Sequence, residues 1–218
     1  MKTKLFLILP LLALFTFFGC NEDDSVMDSQ YKRENNFNKP GNMTIAQLAE
    51  GTLLAAAIEY VDPDGTGLGA AISNEDIQLT VFAPSDEAFV GLLAALEEAI
   101  ENDPELEVPG GDGLQLTDIP VPIVSAVLQY HITNGRRASN SVVPPNDRNT
   151  KTIQTLLDGA SFEVTNDLGI LTAGGNDGAM IVAPNISASN GVIHGINQVL
   201  LPLTVDEVLD LLRPPMNP

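Results

Sequence analysis

The stretch TIAQLAEGTLLAAAIEYV, beginning at Thr44, places its apolar residues at helical spacing. Thr44 followed three residues later by Gln47 has the form of a capping box, and Gly51 divides the stretch into two short helices. DPDGTGLG, from Asp62, reads as a loop. IQLTVFAP is rich in β-formers and predicts a strand stopped by Pro84. Ser85 then caps a helix, SDEAFVGLLAALEEAI, with Asp86 and Glu87 in the first turn, where the helix dipole favours negative charge. ENDPELEVPGGDGLQLTD predicts a long polar loop, after which Pro120 and Pro122 open a helix, PVPIVSAVLQYH. From about Thr152 the pattern shortens. TIQTLLDG, SFEVTND, GILTAGG, GAMIVAP and GVIHGINQVLL are apolar runs that Gly and Asn-Asp punctuate at hairpin spacing. Helices first and short strands afterwards predict an α+β fold with a sheet-rich core. There is no internal repeat, so residues 41–203 are read as one domain and residues 204–218 as a C-terminal tail or short helix.

The first twenty residues, MKTKLFLILPLLALFTFFGC, have a basic tip and an apolar run from Leu5 to Phe18. The run is too short, and too interrupted by proline, for a good membrane span, and it reads as a secretory signal peptide over residues 1–19. It ends at Cys20, the only cysteine, so no intrachain disulfide is available and the domain must hold by packing. Gly19-Cys20 resembles the lipobox of bacterial lipoproteins, in which the cysteine is lipidated and becomes the mature N-terminus. Phe17 and Phe18 depart from that pattern. Residues 20–40 are polar and aperiodic and read as a tether, which as a random coil spans about 25 Å. Glu22, Asp23 and Asp24 resemble the acidic signal that sends lipoproteins of Bacteroidetes-type bacteria to the cell surface. They read equally as a solvated linker. Asp24-Ser25-Val26 resembles an O-glycan acceptor of the same bacteria.

A hydrophobic content of 44% is that of a globular chain rather than a disordered one. The formal charge of -19, with no basic stripe, repels nucleic-acid phosphate and argues against a nucleic-acid partner.

Two longer segments carry a family resemblance. TVFAPSDEAF, Thr80–Phe89, is similar to the first signature box of fasciclin-type domains, and NGVIHGINQVLLP, Asn190–Pro202, to the second. Between them LQYHI matches the family's Tyr-His box. TIQTLLDG matches its Thr-Leu-x-Gly strand entry, with an Asp inserted before the glycine. The resemblance covers about Asn42 to Pro202. It implies a compact β-sandwich of two sheets with several short helices packed around it, and extracellular adhesion or ligand binding without shared catalytic chemistry. It marks Thr80, Phe82, Pro84, Phe89, Tyr130, His131, Asn190, Gly191 and His194 as framework residues of the boxes. Gly195-Ile196-Asn197 stands where the family has Val-Ile-Asp, so local hydrogen bonding should differ. Some animal members carry an Asp-Ile pair before the second box that is proposed to engage integrins. Asn185 and Ile186 occupy those positions here and are candidate binding residues. Without the carboxylate, recognition through a metal ion is not supported.

Catalytic chemistry is hard to place. There is no Gly-x-Ser-x-Gly elbow, no His-Glu-x-x-His, no phosphate loop and no paired cysteine. Asp62-x-Asp-Gly lacks the spacing of a calcium loop. The two histidines fall on separate elements, so neither a metal nor a cofactor is expected. Alternation places His194 with Val192, Ile196 and Leu200, which predicts a core imidazole bonded to backbone. His131, at a helix end, reads as a dipole partner or a packing residue. The chain is therefore expected to be a non-catalytic, lipid-anchored adhesion or ligand-binding module on the outer membrane. It would be held to the bilayer through Cys20 and face a cell-surface, matrix or glycan ligand. The alternative is a periplasm-facing structural or polysaccharide-handling accessory. Asn102–Asp118 and Ala138–Lys151 are candidate binding loops.

Overall fold

A computed structural model describes residues 40–213 apart from 104–105, 107–112, 147–148 and 176–177. The signal segment, Cys20 and the tether up to residue 39 lie outside the described residues.

The first helices form as their caps dictate. Thr44 accepts from the Gln47 N–H at 3.3 Å while the Gln47 side chain accepts from the Thr44 N–H at 2.9 Å, which closes the capping box of α1 (Ile45–Ala49). The break falls at Gly51, whose φ is +80°, and α2 (Leu53–Val61) follows behind Thr52. The segment read as a loop from Asp62 ends early, in a further helix, α3 (Leu68–Ser73). The reason is Asp62 itself. Its carboxylate accepts from the N–H groups of Thr66, Gly67 and Gly69, satisfying the donors that the start of α3 leaves unpaired. β1 (Leu79–Pro84) and α4 (Asp86–Glu101) lie where the pattern placed them, with Ser85 accepting from the Ala88 N–H. Asp86 also accepts from the Leu53 N–H at 2.8 Å, tying α2 to α4.

A 3-10 turn (Leu116–Asp118) leads into α5 (Val121–Tyr130), a short strand β2 (Ile132–Asn134) and one turn of helix, α6 (Ser139–Val142). Neither β2 nor α6 shows in the hydropathy pattern, because elements of three and four residues are shorter than a period can resolve. Then come β3 (Lys151–Gln154), β4 (Ser161–Val164), β5 (Ile170–Leu171), β6 (Ile181–Ala188), β7 (Gly191–Ile196) and a final helix α7 (Val205–Leu212).

The strands form two sheets. One has the order β2-β1-β7-β6 and the other β3-β4-β5. The decisive pairing is β1 with β7, which is parallel and joins the two signature boxes residue for residue, from Leu79 opposite Gly191 to Pro84 opposite Ile196. Paired residues of adjacent strands share a face. Phe82 and Ile196 thus fall on the face that meets the second sheet, in a core with Tyr130, Ile153, Phe162, Val164 and Leu200. Leu79, Val81 and Ile193 fall on the other face and pack under the helices. β1 and β7 are buried on both faces, hence their near-continuous apolar runs. Position 191 must be glycine, since a Cβ there would sit 2.0 Å from the Leu79 carbonyl oxygen. The fold is α+β, two sheets wrapped by helices.

Candidate functional site

The second box begins with Asn190, fully buried in the turn between β6 and β7. Its Oδ1 accepts from the Ile45 N–H at 2.8 Å, and its Nδ2 donates to the carbonyls of Ile72 (2.8 Å) and Asn74 (3.1 Å). One side chain thus caps the start of α1 and the end of α3 from more than a hundred residues away. Arg136 secures the same turn from outside, donating through Nη1 to the Ala188 and Gly191 carbonyls and through Nη2 to the Ser187 hydroxyl.

His194 lies in β7 beside Phe82, their ring centres 5.3 Å apart, and has no exposed surface. Its Nδ1 accepts from the Asn185 N–H at 3.2 Å, so the ring proton resides on Nε2, which donates to the Arg137 carbonyl at 2.9 Å. Burial holds its pKa below the ordinary histidine value. Asn185 occupies an irregular stretch of β6, where the register shifts between Ala183 and Ile186, and takes a left-handed φ of +66°. Its amide is spent on α6. Oδ1 accepts from the Ser139 N–H and Nδ2 donates to the Ser139 hydroxyl, both at 2.7 Å. Thr80 completes the lattice, donating to the Gly135 carbonyl and accepting from the Arg137 N–H. The segment from Gly135 to Ser139 is therefore stitched across both boxes by Thr80, His194 and Asn185.

The Tyr-His box does the same at the other end. Tyr130 is buried and donates to the Ser161 carbonyl at 2.9 Å, while its ring meets Phe162 edge-on. Phe162 in turn meets Phe82 at 4.9 Å. These three rings bridge the two sheets. His131 receives the Leu200 N–H on Nε2 at 2.9 Å and donates from Nδ1 to the Val127 carbonyl at 2.7 Å. Burial lowers its pKa to about 4. Of the two roles open to it in the sequence, a charged dipole partner and a packing residue, the neutral ring fits the second. Pro84 ends β1 at the cap of α4, and Phe89 is buried in the helical core.

None of these framework residues offers a reactive group to solvent. Asn197, which stands where the family has Asp, accepts from the Met180 N–H and donates to the Gly178 carbonyl. Among the described residues no three His, Cys, Asp or Glu side chains converge as a metal-ligand set. The loop Ala138–Lys151 contains α6, with Val142 buried, and most of the 104–112 stretch lies outside the described residues.

The pair Asn185-Ile186 divides. Asn185 is 9% exposed and internally bonded, whereas Ile186 is 42% exposed. Along the same outer strand Val182 is 61% exposed, Met180 just before it 40%, and Leu171 of β5, beside the Gly169–Met180 bridge, 52%. Sequence reasoning missed Met180, Val182 and Leu171. The signal was the alternation in GAMIVAPNI, where Met180, Val182 and Ile186 share one parity, opposite the buried Ile181.

Comparison with known proteins agrees with this architecture. A family model of the Fasciclin domain matches residues 54–202. Human periostin is 28% identical over 168 residues, covering 74% of this chain and 17% of periostin. The Synechocystis protein sll1483 is 30% identical over 174 residues, covering 73% of this chain and 74% of that protein. Among solved structures, a FAS1 domain pair from the insect cell adhesion molecule fasciclin I superposes with a TM-score of 0.51 at 16% identity. The match covers 74% of this chain and 51% of the pair. The chain thus spans only a small part of periostin and about half of that domain pair.

Proposed function

The chain belongs to the fasciclin domain family, and from that premise we propose that it is a non-catalytic adhesion or ligand-binding module tethered to the outer membrane through a lipid on Cys20 and facing outward. The observation that carries the reading is the contrast within the fold. Thr80, Tyr130, His131, Asn190 and His194 of the boxes are buried and bonded to backbone, whereas Val182 and Ile186 of the outer strand β6, with Met180 just before it, are exposed. Exposed apolar side chains grouped on one strand are a means of recognising another surface. A catalytic site needs groups poised toward a cleft, and the described histidines are directed inward instead. The cell adhesion role of the insect relative supports the same reading. The lipobox-like Gly19-Cys20 and the polar segment up to residue 40 supply a lipid anchor and a spacer.

Treating intact cells with a non-penetrating protease tests the outward orientation. Cleavage of this chain, with a periplasmic control spared, is the expected result. Protection that is lost on lysis would instead favour a periplasm-facing accessory, the alternative that shares the anchor. Replacing Glu22, Asp23 and Asp24 by Ala should abolish cleavage if the acidic segment is the export signal. Cleavage of that variant equal to wild type would remove the segment from the account.

A further inference from the structure

The chain enters the domain alongside the end of β6. The Gly41 N–H donates to the Ala188 carbonyl at 3.1 Å, and the Ser189 N–H donates to the Met43 carbonyl at 2.7 Å. Asn190 then accepts from the Ile45 N–H. Residue numbers rise together on both sides, so the two segments run the same way. Gly41 is pressed onto the strand so closely that a Cβ there would lie 2.1 Å from the Ser187 carbonyl oxygen. Behind it stands Pro40, which biases the residue before it toward extended backbone. The chain that precedes Gly41 is thus aimed back along β6, past Ile186 and toward Val182. Counted in extended steps of about 3.3 Å, Phe37 comes roughly 13 Å behind Gly41, level with the stretch between those two side chains.

We propose that Phe37-Asn38-Lys39 docks on β6 as a strap, with the Phe37 ring packed against Ile186 and Val182. Both side chains are apolar and exposed, at 42% and 61%. β6 ends its sheet, and the turn between β4 and β5 meets it only at its start, through Met180 and Ile181. A second copy of the chain fits this surface poorly. Pro184 has no N–H to give, and Asn185, with its φ of +66°, breaks the regular edge that an added strand needs. Each copy also carries a formal charge of -19. The strap needs little intrinsic affinity. Held three residues from the fixed Pro40, Phe37 is present at β6 at an effective concentration on the order of millimolar or above. Its consequence rests on the reading of β6 as a recognition strand. Strap and ligand compete for the same two side chains, so the segment that tethers the domain also governs access to it. A strap docked about nine-tenths of the time lowers the apparent affinity about tenfold.

The test compares the full chain with Phe37→Ser, both with methyl-labelled Ile and Val and observed by NMR. Both carry Cys20→Ala, so that no lipid is attached. Phe37→Ser should shift the methyl signals of Ile186 and Val182 and leave those of the buried Ile153 and Val164 unmoved. Phe37→Tyr, which keeps the ring, should retain the wild-type positions. Phe37 precedes the folded domain, so each variant should melt like wild type. The same proteins are then added to intact cells of the source organism, where Phe37→Ser should bind about tenfold more tightly. Unmoved Ile186 and Val182 methyls in Phe37→Ser would overturn the strap. Shifted methyls with equal cell binding by the two proteins would overturn the competition. Shifted methyls with no cell binding by either protein would leave the strap in place and overturn the recognition reading instead.

Discussion

Acid should loosen this domain through His131, and the effect can be worked from its surroundings. The neutral ring receives the Leu200 N–H on Nε2 and donates to the Val127 carbonyl from Nδ1, so both nitrogens are committed only while one stays unprotonated. The folded pKa is about 4, against an ordinary value of 6.5. Between these values the unfolded chain binds the proton and the folded chain does not, so stability falls as pH falls. The contribution is complete above the unfolded pKa, erodes from about pH 6.5 downward, and levels off below about pH 4. The loss at pH 5 relative to pH 7.5 is about 2 kcal/mol, and the full loss is roughly 3 kcal/mol. His194, whose pKa burial also lowers, acts in the same direction. Carboxylates titrate over part of the same range, so the measurement is a difference between two proteins. Urea unfolding of wild type and His131→Gln at pH 7.5, 6 and 5 isolates the term. Gln keeps an acceptor for Leu200 but cannot titrate. It should cost about 1–3 kcal/mol at pH 7.5 and close most of the gap to wild type by pH 5. Parallel pH dependence in the two proteins, or an NMR titration placing the His131 pKa near 6.5, would refute the reasoning.

Other perturbations follow from the same contacts. His194→Ala strands the Arg137 carbonyl and the Asn185 N–H and should lower unfolding free energy by about 1–3 kcal/mol at pH 7.5. Asn190→Ala removes three bonds, two of them buried, that join α1 and α3 to the second box. It should cost about 2–4 kcal/mol, with hydrogen exchange rising in α1 and α3 before the sheets. Gly191→Ala drives a methyl into the Leu79 carbonyl and should prevent folding or separate β1 from β7, read by circular dichroism and by lost melting cooperativity. From the proposed lipid anchor, and not from a contact, Cys20→Ala is expected to move the chain from the membrane to the soluble fraction on cell fractionation.

Local elements were legible where one side chain fixes one turn of backbone. The Thr44–Gln47 capping box, the Ser85 cap and the β1 strand stopped at Pro84 all lie where pattern and chemistry put them. What the sequence hid was set from a distance. α3 begins at Gly67-Leu68 because the Asp62 carboxylate reaches across the turn, and a glycine-rich start otherwise reads as loop. The parallel register of β1 on β7 joins segments more than a hundred residues apart, which no local period encodes. The burial of His194 followed from alternation, but its partners did not, since they lie on the irregular stretch of β6 and on the segment after β2. Of the apolar surface at β6, the resemblance marked only Ile186. Met180, Val182 and Ile186 share one parity, opposite the buried Ile181, and what the alternation does not encode is that β6 ends its sheet, so that these side chains stay exposed.

The most direct test of the proposed recognition surface is to compare binding of the labelled wild-type chain with that of Val182→Glu/Ile186→Glu, on intact cells of the source organism and on a matrix-glycan array. Both side chains are already exposed, so the double variant should melt within a few degrees of wild type. The account predicts saturable binding by wild type, reduced at least tenfold in the variant. Equal binding by the two proteins, or none by wild type on either surface, would contradict it.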